Sequence, residues 1–229
     1  REARYPGWQN IELADSDIES FQHSHHVSFD NMWHAELVDE LAAMVGLAPF
    51  GAMNHESLGV DYSMRFSPLQ ALFHVLTSDQ RLRATLATLC GVDQQTFSRF
   101  SGRIYRMVPS RDADVWHNDV HATDRRIIAL SLYLESPAPR GGKLLMRRAG
   151  LRRPFAQDPP KPRGTLTVFR ISHDLEHKVG RVWRGARTNF AGWYLSAPDF
   201  DYRGKWLDRP WVGGPGNSLP WLHRQFARR

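Results

Sequence analysis

Gly164-Thr-Leu-Thr-Val-Phe-Arg-Ile171, followed by Ser172-His-Asp-Leu-Glu-His177-Lys-Val179, is the stretch whose reading decides the fold. Its first half is a short apolar run, rich in β-branched and aromatic residues, behind a glycine. That composition suits a buried strand. Ser172-His173-Asp174 then supplies turn chemistry, and a second run opens at His177. Working outward, the same pattern repeats in RIYRMV (103–108), RRIIALSLYLE (125–135), GGKLLMRR (141–148), HKVGRVW (177–183) and TNFAGWYLS (188–196). These runs are separated by Pro, Gly and Asp clusters, so several short strands spaced by turns predict a β-sandwich or barrel over residues 102–195.

The flanks have a different character. Residues 1–100 read as a helical N-terminal part. Asp30 is an N-cap candidate for a helix carrying Trp33, Leu37, Leu41 and Met44 and ending at Gly46. A second helix runs from Ser67 with Pro68 in its first turn, and a third begins at Ser78 or Asp79 and stops at Gly91. These helices are expected to pack on one sheet of the β core. Pro154–Pro162 holds four prolines in nine residues and reads as an irregular loop, a lid candidate together with Met107–Asp114. Residues 196–229 read as an irregular tail over the core, anchored by Trp206, Trp211 and Trp221. The whole, 1–229, is expected to be a single domain.

Composition narrows the chemistry. With 41% hydrophobic and 24% charged residues the chain is an ordinary globular protein. The single cysteine, Cys90, excludes an internal disulfide and any multi-thiolate metal site, and its apolar helical setting suits a buried inert thiol. No apolar run approaches the roughly 20 residues that cross a bilayer, the first residues do not read as a signal peptide, and a cytoplasmic location is expected. The net charge of +6 gathers in 140–153, 181–187 and 223–229. No nucleic-acid-binding motif accompanies it, so a solvated basic surface is the plainer reading, ahead of an anionic substrate, a carrier domain or a polyanion.

The chemistry-bearing residues begin at His117-Asn-Asp119. In an extended strand, residues i and i+2 share a face, so an imidazole and a carboxylate could reach one ion. Such a pair suits Fe(II) or Mn(II), and two histidines with one carboxylate on one face leave coordination positions open. His-x-Asp alone is a common short pattern, and a third ligand must come from His121, His173 or His177. His121 shares the strand phase but sits where the run passes into a loop. His173 falls in a turn, while His177 opens the next strand. Ten residues on stands Arg187, on the same interior face if the intervening hairpin keeps register. A guanidinium there is costly unless paired, and a ligand carboxylate is its natural partner.

His117-x-Asp119, Tyr133-Leu134, Gly141-Gly142, Gly164-Thr-Leu-Thr-Val-Phe169, His177-x-Val179, Gly185-x-Arg187 and Trp193-Tyr194 occur in this order. In that set the chain resembles the prolyl 4-hydroxylase-type 2-oxoglutarate/Fe(II)-dependent dioxygenases over residues 102–195. The resemblance implies a double-stranded β-helix (jelly-roll) core buttressed by the N-terminal helices. It implies His117, Asp119 and His177 as ligands of Fe(II) and Arg187 as the partner of the distal carboxylate of 2-oxoglutarate. Tyr133 would support that carboxylate, Tyr105 would contact the co-substrate nearer the metal, and Gly141-Gly142 would be a tight turn close to the site.

The implied activity is 2-oxoglutarate- and O2-dependent hydroxylation of an amino acid, a peptide or protein residue or a small metabolite, releasing succinate and CO2. Asp119 favours hydroxylation over halogenation. Trp116, Asn118, Val120, His121, Arg170, Arg181, Trp183 and Trp193 flank the expected site, and strand phase decides which face a substrate. The competing readings are a non-catalytic jelly-roll binding protein, an oxidative nucleic-acid demethylase whose binding would fall with salt, and a zinc hydrolase.

Overall fold

The computed structural model describes residues 13–55, 59–64, 68–109, 115–120 and 125–196. The N-terminal elements are α1 (Asp15–Ser24), β1 (His26–Phe29), α2 (Ala35–Leu47), β2 (Phe50–His55), β3 (Gly59–Met64), α3 (Pro68–Thr77) and α4 (Gln80–Cys90). There follow β4 (Arg99–Met107), β5 (Arg126–Tyr133), β6 (Arg140–Gly141), β7 (Leu144–Arg148) and β8 (Ala156–Asp158). The chain continues through β9 (Leu166–Arg170), β10 (Leu175–Val179), β11 (Val182–Arg184) and β12 (Arg187–Leu195). Every apolar run named above contains a strand.

Alternation along these strands sorts side chains into two layers. In β12, Phe190 and Tyr194 point one way: Phe190 stacks on Phe73 of α3 at 4.8 Å, and the Tyr194 hydroxyl donates to the Thr77 carbonyl. Ile128, Leu130 and Leu132 of β5 share that layer with the buried faces of all four helices. The opposite face carries Ala129 and Phe169, which meet Leu144 and Met146 of β7 in a second, smaller cluster. A seven-stranded antiparallel sheet, ordered β1-β9-β5-β12-β4-β3-β2, thus faces a three-stranded sheet, β10-β7-β8. Helices cover the outer face of the large sheet, the architecture of a jelly roll. Among the described residues no helix is long and apolar enough to cross a membrane.

The first hundred residues are not purely helical. β1, β2 and β3 extend the large sheet at both edges, with Val27 opposite Val168 and Ser63 opposite Tyr105. HVSF, FGAMNH and GVDYSM carry weak or short strand signals and are strands because a sheet edge pairs them. α1 also lacked a strong pattern. α2 begins at Ala35 rather than beside Asp30, whose carboxylate instead accepts from the Thr165 hydroxyl at 2.6 Å. The buried stripe of α2 is Val38, Leu41, Ala42 and Val45, whereas Met44 is 51% exposed, and the helix passes through Gly46 to stop before Pro49. α3 and α4 match expectation: the Asp79 carboxylate accepts from the Arg81 N–H at 2.7 Å, and Gly91 ends α4 at φ 65°.

Pro154–Pro162 is not wholly irregular. β8 lies inside it and pairs with β7, Leu144 opposite Asp158, as an edge strand, where prolines on either side cost no ladder bond. Lys161 clasps Asp158 at 2.6 Å, so this segment is tied to the small sheet. Residues 110–114, His121 and the tail tryptophans Trp206, Trp211 and Trp221 lie outside the described residues. Cys90 packs against the helix-side core, and burial pushes its thiol up to about 11.

Candidate metal and co-substrate site

His177 is fixed first. It sits opposite Met146 in the ladder between β10 and β7, is 7% exposed, and its ring lies 4.7 Å from that of Phe169. Residues 115–120 do not form a strand, contrary to the expectation for His117-x-Asp119. They touch β10 through one bridge, in which the His117 N–H donates to the His177 carbonyl at 3.1 Å and the His177 N–H donates back at 2.8 Å. Asp119 then takes φ 56°, a left-handed conformation that Asp tolerates better than most residues. That turn, rather than strand alternation, swings the carboxylate between the two rings.

The resulting geometry is a compact donor set. One ligand atom from each of His117, Asp119 and His177 lies within 4.8 Å of the other two. His177 Nε2 is 3.3 Å from Asp119 Oδ2, and His117 Nε2 is 3.7 Å from Oδ1. His117 Nδ1–H donates to the Val115 carbonyl at 2.8 Å, which selects the tautomer with a bare Nε2. Two imidazole nitrogens and one carboxylate oxygen converging in this way fit a divalent iron.

Asp119 is held from behind as well. The Trp193 indole N–H donates to Oδ2 at 2.8 Å, and the Arg126 guanidinium lies 3.9 Å over the Trp193 ring while donating to the Asp119 carbonyl at 3.1 Å. Burial alone would raise the Asp119 carboxyl. The hydrogen bond and charge of His177, the charge of His117 and the indole outweigh it and hold the group below the usual carboxylate range.

Arg187 starts β12 on the interior face, 8% exposed. Its Nη2 donates to the Tyr133 hydroxyl at 3.4 Å, its Nε has no partner, and among the described residues no carboxylate forms an ion pair with it. Gly142, at φ 67°, lies against it: a Cβ there would come within 3.1 Å of Arg187 Cδ and 3.2 Å of Val182 Cγ2. The paired glycines are therefore a backbone turn that leaves room for the guanidinium.

The family model described as the 2OG-Fe(II) oxygenase superfamily matches residues 103–195. Residues 103–195 are a 2OG-Fe(II) oxygenase domain. No curated protein matches the chain. Among solved structures it is similar to a Pseudomonas putida prolyl-4-hydroxylase, with 21% identity and TM-score 0.59, over 80% of this chain and 98% of that one. A 2OG-Fe(II) oxygenase-family oxidoreductase from Burkholderia pseudomallei aligns with 16% identity and TM-score 0.64, over 84% and 96%. A Trichoplax adhaerens prolyl hydroxylase in complex with a hypoxia inducible factor oxygen degradation domain peptide fragment aligns with 14% identity and TM-score 0.56, over 78% and 87%. The fold expected from the resemblance to prolyl 4-hydroxylase-type enzymes is borne out, and residues 103–195 match a superfamily of 2-oxoglutarate-dependent oxygenases, which use Fe(II), 2-oxoglutarate and O2.

The oxygenase domain places the remaining candidates as follows. Tyr133, 2% exposed, and Tyr105 stand opposite Asn189 on either side of β12, on the Arg187 face. His173 occupies an exposed turn, away from the donor set. Trp116 lies on the outer side of the small sheet, with Arg147 at 4.3 Å and Lys178 at 5.0 Å from its ring. Val120 packs on the interior cluster, and Asn118 Oδ1 accepts from the Val120 N–H at 3.1 Å. Arg170 sits 5.5 Å from the Phe21 ring on the helix side, Arg181 is exposed, and Trp183 is 73% exposed. Trp193 holds the Asp119 carboxylate through its indole N–H. Arg126, which donates to the Asp119 carbonyl, was missed, and nothing local marks it.

Proposed function

We propose that this dioxygenase hydroxylates an unactivated C–H bond of an amino acid, a peptide or protein residue or a small metabolite. His117, Asp119 and His177 would hold Fe(II), and Arg187 with Tyr133 would take the distal carboxylate of 2-oxoglutarate. The observation that carries this reading is the buried Arg187 guanidinium, which has a tyrosine hydroxyl beside it and no protein carboxylate among the described residues. A buried cation left this way calls for a ligand anion, and a planar carboxylate accepts its fork in two hydrogen bonds.

Bound Fe(II) would supply O2 activation coupled to decarboxylation of the 2-oxoacid to succinate and CO2. The protein's own share is orientation. The Val115 carbonyl sets the His117 tautomer, the Trp193 indole occupies one edge of the Asp119 carboxylate, and the two sheets shield the interior from water. We read the helices and the jelly roll as one domain, because the helix-side core is continuous from Phe21 to Tyr194. A peptide substrate is one option within this class; the Trichoplax adhaerens enzyme of this fold is complexed with a peptide fragment.

The test is an anaerobic titration with Fe(II) and 2-oxoglutarate, followed by the weak visible charge-transfer absorption of the chelate. The wild type gives the band and Arg187→Ala requires at least 100-fold more 2-oxoglutarate to reach it. Absence of a band in the wild type, or an unchanged titration in Arg187→Ala, refutes the reading. A non-catalytic binding protein or a zinc hydrolase would give no succinate. Screening succinate release against free amino acids and peptides then separates substrate classes.

A further inference from the structure

We propose that the outer side of the ribbon built from β6, β7, β10 and β11 is a docking surface for an acidic segment of a partner polypeptide. The pairing of β10 with β7 does not end at Val179 opposite Leu144. The Gly180 N–H donates to the Lys143 carbonyl at 2.8 Å and the Gly142 N–H to the Arg181 carbonyl at 2.8 Å, and the chain passes into the pairing of β11 with β6. Residues 140–148 and 175–184 are thus one antiparallel two-stranded ribbon. Its inner side carries the buried Leu144, Met146 and His177, and its Gly142 lies against Arg187. The metal and co-substrate site uses only that side.

The charge on this ribbon is one-sided. The sequence holds no Asp or Glu between Glu135 and Asp158, nor between Glu176 and Asp199. Arg140, Lys143, Arg181 and Arg184 are exposed, and among the described residues no carboxylate pairs with any of them. Arg184 stands directly opposite Arg140 in the ladder. Directly opposed residues have Cβ atoms about 5 Å apart, and like charges there destabilise the pairing. Further along the same ribbon Glu176 balances Arg147 at 2.6 Å, so a carboxylate fits this ladder, yet none is placed beside Arg140 and Arg184. An anion from another molecule relieves that repulsion. Trp183 stands among these cations, 73% exposed. A Cβ at Gly141 would come within 3.0 Å of Trp183 Cδ1, so the indole edge packs against the bare α-carbon of the facing strand. An exposed tryptophan set among arginines has the composition of a protein-binding hot spot, where both residue types are enriched. A merely solvated basic surface needs no such residue, and no nucleic-acid-binding motif accompanies it. From Lys178 to Arg184 the ribbon runs about 20 Å, the reach of about six extended residues. The chemistry that fits is an extended, carboxylate-rich segment with one apolar side chain to cover the Trp183 ring.

The experiment uses the full chain and a short fluorescein-labelled peptide, glutamate-rich with one central leucine, followed by fluorescence anisotropy. Its glutamine counterpart and an oligothymidylate of equal length are the comparison probes. Ionic strength is held near 0.15 M, where the screening length is about 8 Å and distant charges count little. The glutamate peptide is expected to bind roughly tenfold tighter than the glutamine peptide, and tighter than oligothymidylate. Arg181→Glu/Arg184→Glu is expected to weaken it roughly tenfold, and Trp183→Ala about fivefold. Arg152→Glu/Arg153→Glu makes the same change in net charge on the exposed connection between β7 and β8, at the far end of β7 from Trp183, and should stay within about twofold. If Arg181→Glu/Arg184→Glu does not fold, Arg140→Glu/Lys143→Glu on the facing strand is expected to show the same loss. No preference for glutamate over glutamine, or unchanged binding in a folded ribbon variant or in Trp183→Ala, overturns the proposal. An equal loss in Arg152→Glu/Arg153→Glu overturns it in favour of net charge alone, and oligothymidylate binding as tightly as the peptide overturns it in favour of a nucleic-acid track. The substituted residues lie outside the metal donor set and the Arg187 pocket, so this proposal and the proposed function can fail independently.

Discussion

Trp193→Phe isolates one atom of the metal site. The substitution removes the indole N–H that donates to Asp119 Oδ2 at 2.8 Å and keeps an aromatic face under Arg126, whose guanidinium lies 3.9 Å above the ring. A hydrogen bond to an ionised group is worth about 1.5–3 kcal/mol, and each 1.4 kcal/mol is about tenfold in affinity. That range corresponds to roughly 10–100-fold, in line with what backing groups of metal ligands generally contribute. The Asp119 side chain retains 15% exposure and the nearby Arg126, so water and the guanidinium replace part of the loss. The expected outcome is therefore near the lower end, about a tenfold rise in the Mn(II) or Fe(II) dissociation constant. Calorimetric titration of the metal measures it, with thermal unfolding of the metal-free protein as the control. The expected change in unfolding is small, because the ring stack survives. A metal dissociation constant within twofold of wild type, with a folded variant, refutes the assignment of Trp193 as the group that orients Asp119.

Three further outcomes follow from other parts of the fold. His74 lies on the helix side with its ring 5.8 Å from that of Phe190, and burial lowers it from 6.5, opposed by a backbone hydrogen bond at Gly102. The folded state favours neutral His74, so its contribution to stability is present above pH 6.5 and lost as pH falls below that value. His74→Phe should flatten the fall in melting temperature between about pH 7 and 5, and an unchanged slope would count against this source. Gly192 faces Gly102 across β4 and β12, and a Cβ on it would overlap Ser101 O and Gly102 Cα. Gly192→Ala is expected to cost roughly 1–3 kcal/mol in chemical denaturation, since the obstruction is backbone and cannot rotate away. The Cys90 thiol, pushed up to about 11 by burial, should react slowly with a thiol reagent at neutral pH and rapidly in denaturant; fast reaction in the native protein would contradict its packing.

β4, β5, β7, β9 and β12 were legible because each lies in a dense apolar run bounded by Gly, Pro or Asp, and α3 and α4 because Pro68, Asp79 and Gly91 mark their ends. The α2 start was misplaced because Asp30 looks like a cap, yet its carboxylate is engaged by Thr165, 135 residues away in sequence. Such long-range competition leaves no trace in a local pattern. β8 was hidden for a related reason: three residues between prolines carry no periodicity, and only the free edge of β7 makes them a strand.

By itself, the sequence determined which residues are candidates to hold a metal and a dicarboxylate, and the order in which they occur. His117, Asp119, Tyr133, His177 and Arg187 could be named from their order, spacing and resemblance, which are properties of the chain alone, although the strand alternation expected at His117-x-Asp119 does not form. Tertiary structure decided how they meet. Asp119 reaches the histidines through a left-handed turn fixed by the bridge to β10, and Trp193 backs Asp119 because β12 runs beneath that turn. Tyr105 and Tyr133 come to the Arg187 face only because β12 is flanked by β4 and β5 in a particular register. Register and long-range hydrogen bonds belong to the packed sheets as a whole, and no single stretch of sequence encodes them.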